Sequence, residues 1–315
     1  MAPFDRAFRN RVVLCGAVAL FLVAGAARAE SEPAPAAKTT TRASRAAASP
    51  STAAAPVVSV EEGLQQTKKS PKGPSAYLAL GGAFRRAGRY QEAVDTYKKL
   101  IGFAPNNSVA HVSLGAVYMD LKRPDEAERE FRKALALNPA DPGAHYNLGN
   151  FYLAQGRRDD ALSEFRKATE LKPPIADAWV SMGLIEGELG KQDDAVQGYK
   201  KALAIDSTNV RGLTNLANAL YSQGKIPEAT ALYRKALQYD DKNQEANYNM
   251  GVAFADAQIF KQALSYWKRV VAIDSTSAVG ESAKSSIQIL EEFLSSQQGK
   301  TVQQQSPSGV TIEKH

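Results

Sequence analysis

The chain has 315 residues, 44% hydrophobic and 23% charged, which is apolar material enough for a sizeable core and excludes disorder throughout. Its formal charge of +6 divides into +3 within residues 1–29, from Arg6, Arg9, Arg11 and Arg28 against Asp5, and +3 over the remainder, where 35 basic residues face 32 acidic ones. So even a balance does not mark a nucleic-acid binder.

The N-terminus reads as a secretion leader. Three arginines precede the apolar run Val12–Ala27, and Ala27-Arg28-Ala29 places small residues where a signal peptidase inspects them, predicting cleavage after Ala29. The competing reading is an uncleaved anchor in the inner membrane. At 16 residues the run falls short of the 18 or more of a spanning helix. Cys15, the only cysteine, lies inside this run behind Leu14, unlike the small residue of a lipoprotein signal. A chain cut after Ala29 would hold no thiol, which suits an oxidising compartment such as the periplasm or the exterior.

Residues 30–73 are rich in Ala, Pro, Ser, Thr and Lys and read as a flexible linker. The stretch Val58–Lys69 could form a short helix, although its periodicity is weak.

From Pro74 the sequence repeats. Leu80-Gly81, Leu114-Gly115, Leu148-Gly149, Met182-Gly183, Leu216-Ala217 and Met250-Gly251 recur every 34 residues. Thirteen positions after each Leu or Met stands an alanine, from Ala93 to Ala263, and four further on an aromatic: Tyr97, Phe131, Phe165, Tyr199, Tyr233 and Trp267. Pro105, Pro139 and Pro173 close the first three units. With these residues the chain resembles the tetratricopeptide repeat family over residues 74–277. The resemblance implies an all-α fold, a right-handed α-solenoid of six helix-turn-helix units: 74–107, 108–141, 142–175, 176–209, 210–243 and 244–277. Gly88, Gly156, Gly190 and Gly224 recur in the turns, where a left-handed backbone is expected. Residues 278–296 carry Ile287, Leu290, Phe293 and Leu294 at helical spacing and predict a capping helix; residues 297–315 read as a disordered tail.

No catalytic motif is present: no P-loop, H-E-x-x-H, G-x-S-x-G or dinucleotide turn, so the chain reads as non-enzymatic, without cofactor or metal. His111 and His145, 34 residues apart, occupy the register of Tyr77 and Trp179 and read as packing residues with no carboxylate partner in register. Glu186 stands where Phe84, Tyr118, Tyr152 and Phe254 pack in other units. A basic pair near the end of every second helix, Lys98-Lys99 through Lys268-Arg269, reads as cations complementing helix dipoles.

In the family the first helix of each unit lines a concave groove. The resemblance therefore points to Tyr146, Asn147 and Asn150, to Asn215, Asn218 and Tyr221, and to Tyr248 and Asn249 as partner-binding residues. Asparagine amides donate and accept, so a row of them can pair with the backbone of an extended peptide. Ala79, Gly82, Ser113, Ala116, Ser181 and Leu184 interrupt the row, and Leu78 and Gly82 replace the lysine and asparagine of the carboxylate clamp known in chaperone-binding relatives. The resemblance implies a cell-envelope scaffold holding a protein or peptide, in assembly of pili, outer-membrane components or polysaccharide export. A self-assembling homo-oligomer is the alternative.

Overall fold

The computed structural model describes residues 58–304, with side chains to 297. The leader, Cys15, the cleavage site after Ala29 and most of the linker lie outside these residues. Among those described, the chain forms fourteen helices and no strand. They are α1 (Val60–Lys69), then α2 (Pro74–Arg86), α3 (Tyr90–Phe103), α4 (Ser108–Asp120), α5 (Pro124–Leu137), α6 (Pro142–Ala154) and α7 (Arg158–Glu170). There follow α8 (Ala176–Glu188), α9 (Gln192–Ile205), α10 (Val210–Ser222), α11 (Ile226–Tyr239), α12 (Gln244–Asp256), α13 (Phe260–Ile273) and α14 (Ala278–Gln304). Helices α2 to α13 are the six expected pairs.

Local chemistry sets each boundary. The last residue of a unit caps the next first helix: Asn107 accepts from the Ala110 amide at 3.0 Å, Asp141 from Gly143 at 2.9 Å, Asn209 from Gly212 at 2.7 Å and Asn243 from Ala246 at 2.8 Å. Each such cap contributes about 1 kcal/mol. In the turns, Gly88, Gly156, Gly190 and Gly224 hold φ between 73° and 79°. Lys122 and Gln258 take the same left-handed conformation in the second and sixth units, at a strain glycine avoids.

Packing within a pair turns on one close approach. A Cβ on Gly81 would lie 2.5 Å from the Tyr97 ring, one on Gly115 2.7 Å from Phe131, one on Gly149 2.6 Å from Phe165 and one on Gly251 2.4 Å from Trp267. The missing side chain is therefore the space the ring fills. Opposite, Ala93, Ala127, Ala161, Ala195, Ala229 and Ala263 are all 0–1% exposed. Deleting or enlarging anything at this contact disturbs interior packed at crystal density.

The described residues divide into two compact bodies, 58–185 with 204–207, and 186–203 with 208–304. In the first, α2, α4 and α6 each pack on the second helix of their own unit, α2 on α4 and α4 on α6, around a core that includes Leu80, Phe84, Leu114, Phe131, Leu148 and Phe165. In the second, α10 to α14 stack the same way around Tyr248, Val252, Trp267, Val270 and Leu290.

Both ends depart from the sequence reading. Part of the stretch read as linker is helix α1, entered through a capping box in which Ser59 and Glu62 exchange hydrogen bonds of 2.8 and 3.2 Å. Gly63 lets α1 seat against Leu80, with 3.0 Å from its would-be Cβ to the Leu80 Cα. The folded part thus begins at the start of α1, well inside the expected spacer. At the other end α14 runs to Gln304, beyond the expected limit at 296 and into the segment read as tail. Its inner face places Ala283, Ser286 and Leu290 at 0% exposure, and Phe293 meets Phe260 edge-on at 5.8 Å.

The glycine contact gives a paired test by thermal unfolding of the chain. Gly149→Ala, which forces a Cβ into Phe165, should destabilise by about 1–3 kcal/mol. Gly102→Ala, at a helical position with nothing within 4 Å of the new Cβ, should stabilise by about 0.5–1 kcal/mol. Equal responses would contradict the packing account.

Candidate functional site

The eight residues expected to bind a partner do not share one environment. Tyr146 and Tyr248 are 3% and 1% exposed and belong to the two cores. Tyr146 tilts on Phe165 at 5.8 Å, and Tyr248 on Trp267 at 6.2 Å, with its hydroxyl 3.1 Å from Ser286. This corrects the surface role expected of both: they pack, because each first helix buries that register against its own unit's ring. Asn147 is 9% exposed and donates to the Gly143 carbonyl at 2.7 Å, while Asn215 donates to Arg211 at 2.9 Å, so both amide nitrogens turn back on their own helices. Asn150 lies half-buried on α6.

In the second body the remaining residues converge. The Asn218 amide nitrogen donates to Glu245 at 2.7 Å. Its carbonyl accepts twice, from the Tyr233 hydroxyl at 2.7 Å and from Asn249 at 2.8 Å. One α10 side chain thereby ties α11 and α12 together. The Tyr221 hydroxyl donates to Asp256 across one unit. Burial, followed by the Asp256 contact, pushes the Tyr221 hydroxyl well above its ordinary range, so it stays a donor. Glu245 is open to solvent but flanked by enough protein that desolvation raises its carboxyl, outweighing the Asn218 hydrogen bond and the Arg211 charge.

The first body carries a counterpart. Arg85 on α2 pairs with Asp120 on α4 at 2.5 Å, at the same register as Tyr221 and Asp256. Where the sequence has tyrosine as the packing ring, the hydroxyl reaches this face: a Cβ on Gly82 would lie 3.8 Å from the Tyr97 hydroxyl. Tyr97 and Tyr233, read from sequence as core rings alone, are thus two-sided. The choice of Tyr over the Phe or Trp of the other units was the signal for it.

A second feature went unread. His111 and His145 do have carboxylate partners: Nδ1 of His111 lies 2.6 Å from Glu130, and Nδ1 of His145 2.5 Å from Glu164. On the other side, Nε2 lies 3.3 Å from the Pro105 carbonyl and 2.9 Å from that of Pro139. Lys133 and Lys167 close the sets, at 3.0 and 2.8 Å from the same glutamates. The spacing His, Glu nineteen on, Lys twenty-two on occurs complete in the second and third units, which corrects the expectation of no partner in register. Among the described residues no group of three or more His, Cys, Asp or Glu is placed to hold a metal ion.

Burial opposes ionisation of Glu164, but the hydrogen bonds from His145 and Lys167 outweigh it and hold the carboxyl below its ordinary range. A carboxyl depressed by folding contributes stability above its unfolded value, lost as pH falls through the folded one. Melting temperature should therefore fall between about pH 5 and 3. Glu164→Gln should lower it at pH 7 and flatten that acid slope. An unchanged slope in the variant would remove Glu164 from the account.

A family model described as the cilia and flagella-associated protein 70 C-terminal domain, a tetratricopeptide-repeat model by its label, matches residues 27–285. No curated protein sequence matches the chain significantly. Among solved structures, Pseudomonas aeruginosa PilF aligns with TM-score 0.57 and 22% identity over 66% of this chain and 95% of its own. Cut9, in the APC/C hetero-tetramer Cut9-Hcn1, aligns with TM-score 0.61 and 16% identity over 75% of this chain and 46% of its own. At such identities the likeness shows the fold. With its six helical pairs and the match over most of its length, the chain belongs to the tetratricopeptide-repeat family described as the cilia and flagella-associated protein 70 C-terminal domain.

Proposed function

We propose that this chain is a non-catalytic interaction scaffold of the bacterial cell envelope, working in the periplasm or outside the cell after loss of its leader. Its first-helix face holds a peptide or protein segment, in assembly of a pilus, outer-membrane or polysaccharide-export complex. The observation that carries the reading is the second body's network of Asn218, Tyr221, Glu245 and Asp256. These groups stand on the face that lines the family's groove, and two of them, Glu245 and Asp256, are open to solvent. Directed acceptors open to solvent are what the donors of a bound segment would pair with. The leader supports the location, and the absence of any recognised catalytic motif supports the non-enzymatic role.

Photo-crosslinking in the native cell tests this. A benzophenone residue placed at Asn150 or Asn215 should yield adducts with a segment of another protein, and one at Lys133 or Lys200, on second helices, should not. Adducts from the second-helix positions alone would overturn the proposal, and adducts between two copies of the chain would replace it with the self-assembling reading.

A further inference from the structure

We infer that the segment held by the second body is basic, an extended stretch presenting lysine or arginine side chains to Glu245 and Asp256. The inference rests on the groove reading above and deepens it.

The array itself shows how a carboxylate at this register is satisfied. In the first body Asp120 takes the guanidinium of Arg85, 35 residues before it. In the second body the same register offers Asp256, but the residue 35 before it is Tyr221, which supplies a neutral hydroxyl. Glu245 likewise takes its hydrogen bond from a neutral amide, that of Asn218. These contacts fix the direction of both carboxylates through neutral donors, while the Arg211 charge also acts on Glu245. Asp256 and Glu245 are both exposed. The place a guanidinium fills in one body is left, in the other, for a cation from outside.

The charge distribution of the second body agrees. Glu188 shares the register of Asp256, and Arg211 is the cation at the register of Glu245. The Tyr199 hydroxyl, pushed up by burial, is pushed further by Glu245, Glu186 and Glu188, with Arg211 opposing, so these acids act on one region. The second helices open on acids in two of the three units, Asp193-Asp194 and Glu228, and all three carry a basic pair toward their ends, Lys200-Lys201, Arg234-Lys235 and Lys268-Arg269. Glu245 and Asp256 stand about 16 Å apart along α12, a span that about five extended residues cover.

The test uses the full mature chain and fluorescein-labelled nine-residue peptides, either Lys/Ala, Glu/Ala or Ser/Ala in alternation, read by anisotropy at about 20 and 200 mM salt. The lysine peptide should bind about tenfold or more tightly than the others and weaken as salt rises. Glu245→Gln with Asp256→Asn should remove that preference with helicity and melting temperature retained. Since the whole chain is formally positive, non-specific attraction works against this result. Lysine binding that survives the double variant overturns the inference. So does equal binding of all three peptides; if that binding is lost in Asn218→Ala, the groove reading stands alone. Binding of no peptide, or binding indifferent to Asn218→Ala, sinks the groove reading as well.

Discussion

The structure depends on a contact between a missing side chain and a ring. Where Gly81, Gly115, Gly149 and Gly251 lack a Cβ, an aromatic from the paired helix enters to within 2.4–2.7 Å of the atom's would-be position. Tyr97, Phe131, Phe165 and Trp267 thereby become almost wholly buried, each a burial on the order of 1.5–3 kcal/mol. One pair still leaves most of its apolar surface bare, and the remainder is covered by the next pair. The repeat is therefore a unit of geometry before it is a unit of stability.

That geometry explains what the sequence disclosed. A 34-residue period of Leu-Gly, Ala and aromatic is legible because each residue type answers a steric demand that recurs identically. The turn glycines are legible for the same reason, and Lys122 and Gln258 show that the turn conformation survives two exceptions. The ends were less legible because nothing repeats there. Helix α1 announces itself through Ser59 and Glu62 alone, a capping box without a strong apolar stripe, and docks through Gly63. Its docking partner, Leu80, is distant in sequence, so the helix read as spacer.

The site was half legible for a related reason. Helical spacing tells which residues share a face but not how deep each one lies. Tyr146 and Tyr248 share the asparagines' helices yet sink into the cores, while Tyr233, counted as core, extends its hydroxyl to Asn218. The His–Glu–Lys sets were missed because their partners belong to the second helix of the same unit, nineteen residues away, and a search for metal or catalytic spacing does not look there. Polar residues in this fold tie helices together in two places: inside the units, as His111 and His145 do, and on the first-helix face of the second body, where Asn218 and Tyr221 reach the next unit.

Circular dichroism on a series of fragments tests the dependence on stacking most directly. The single unit 74–107 should be largely unfolded alone, and helicity per residue should rise with each added unit until the array with α1 and α14 melts cooperatively. An isolated unit as helical per residue as the whole chain would show that the pairs stand without their neighbours, and would contradict the account.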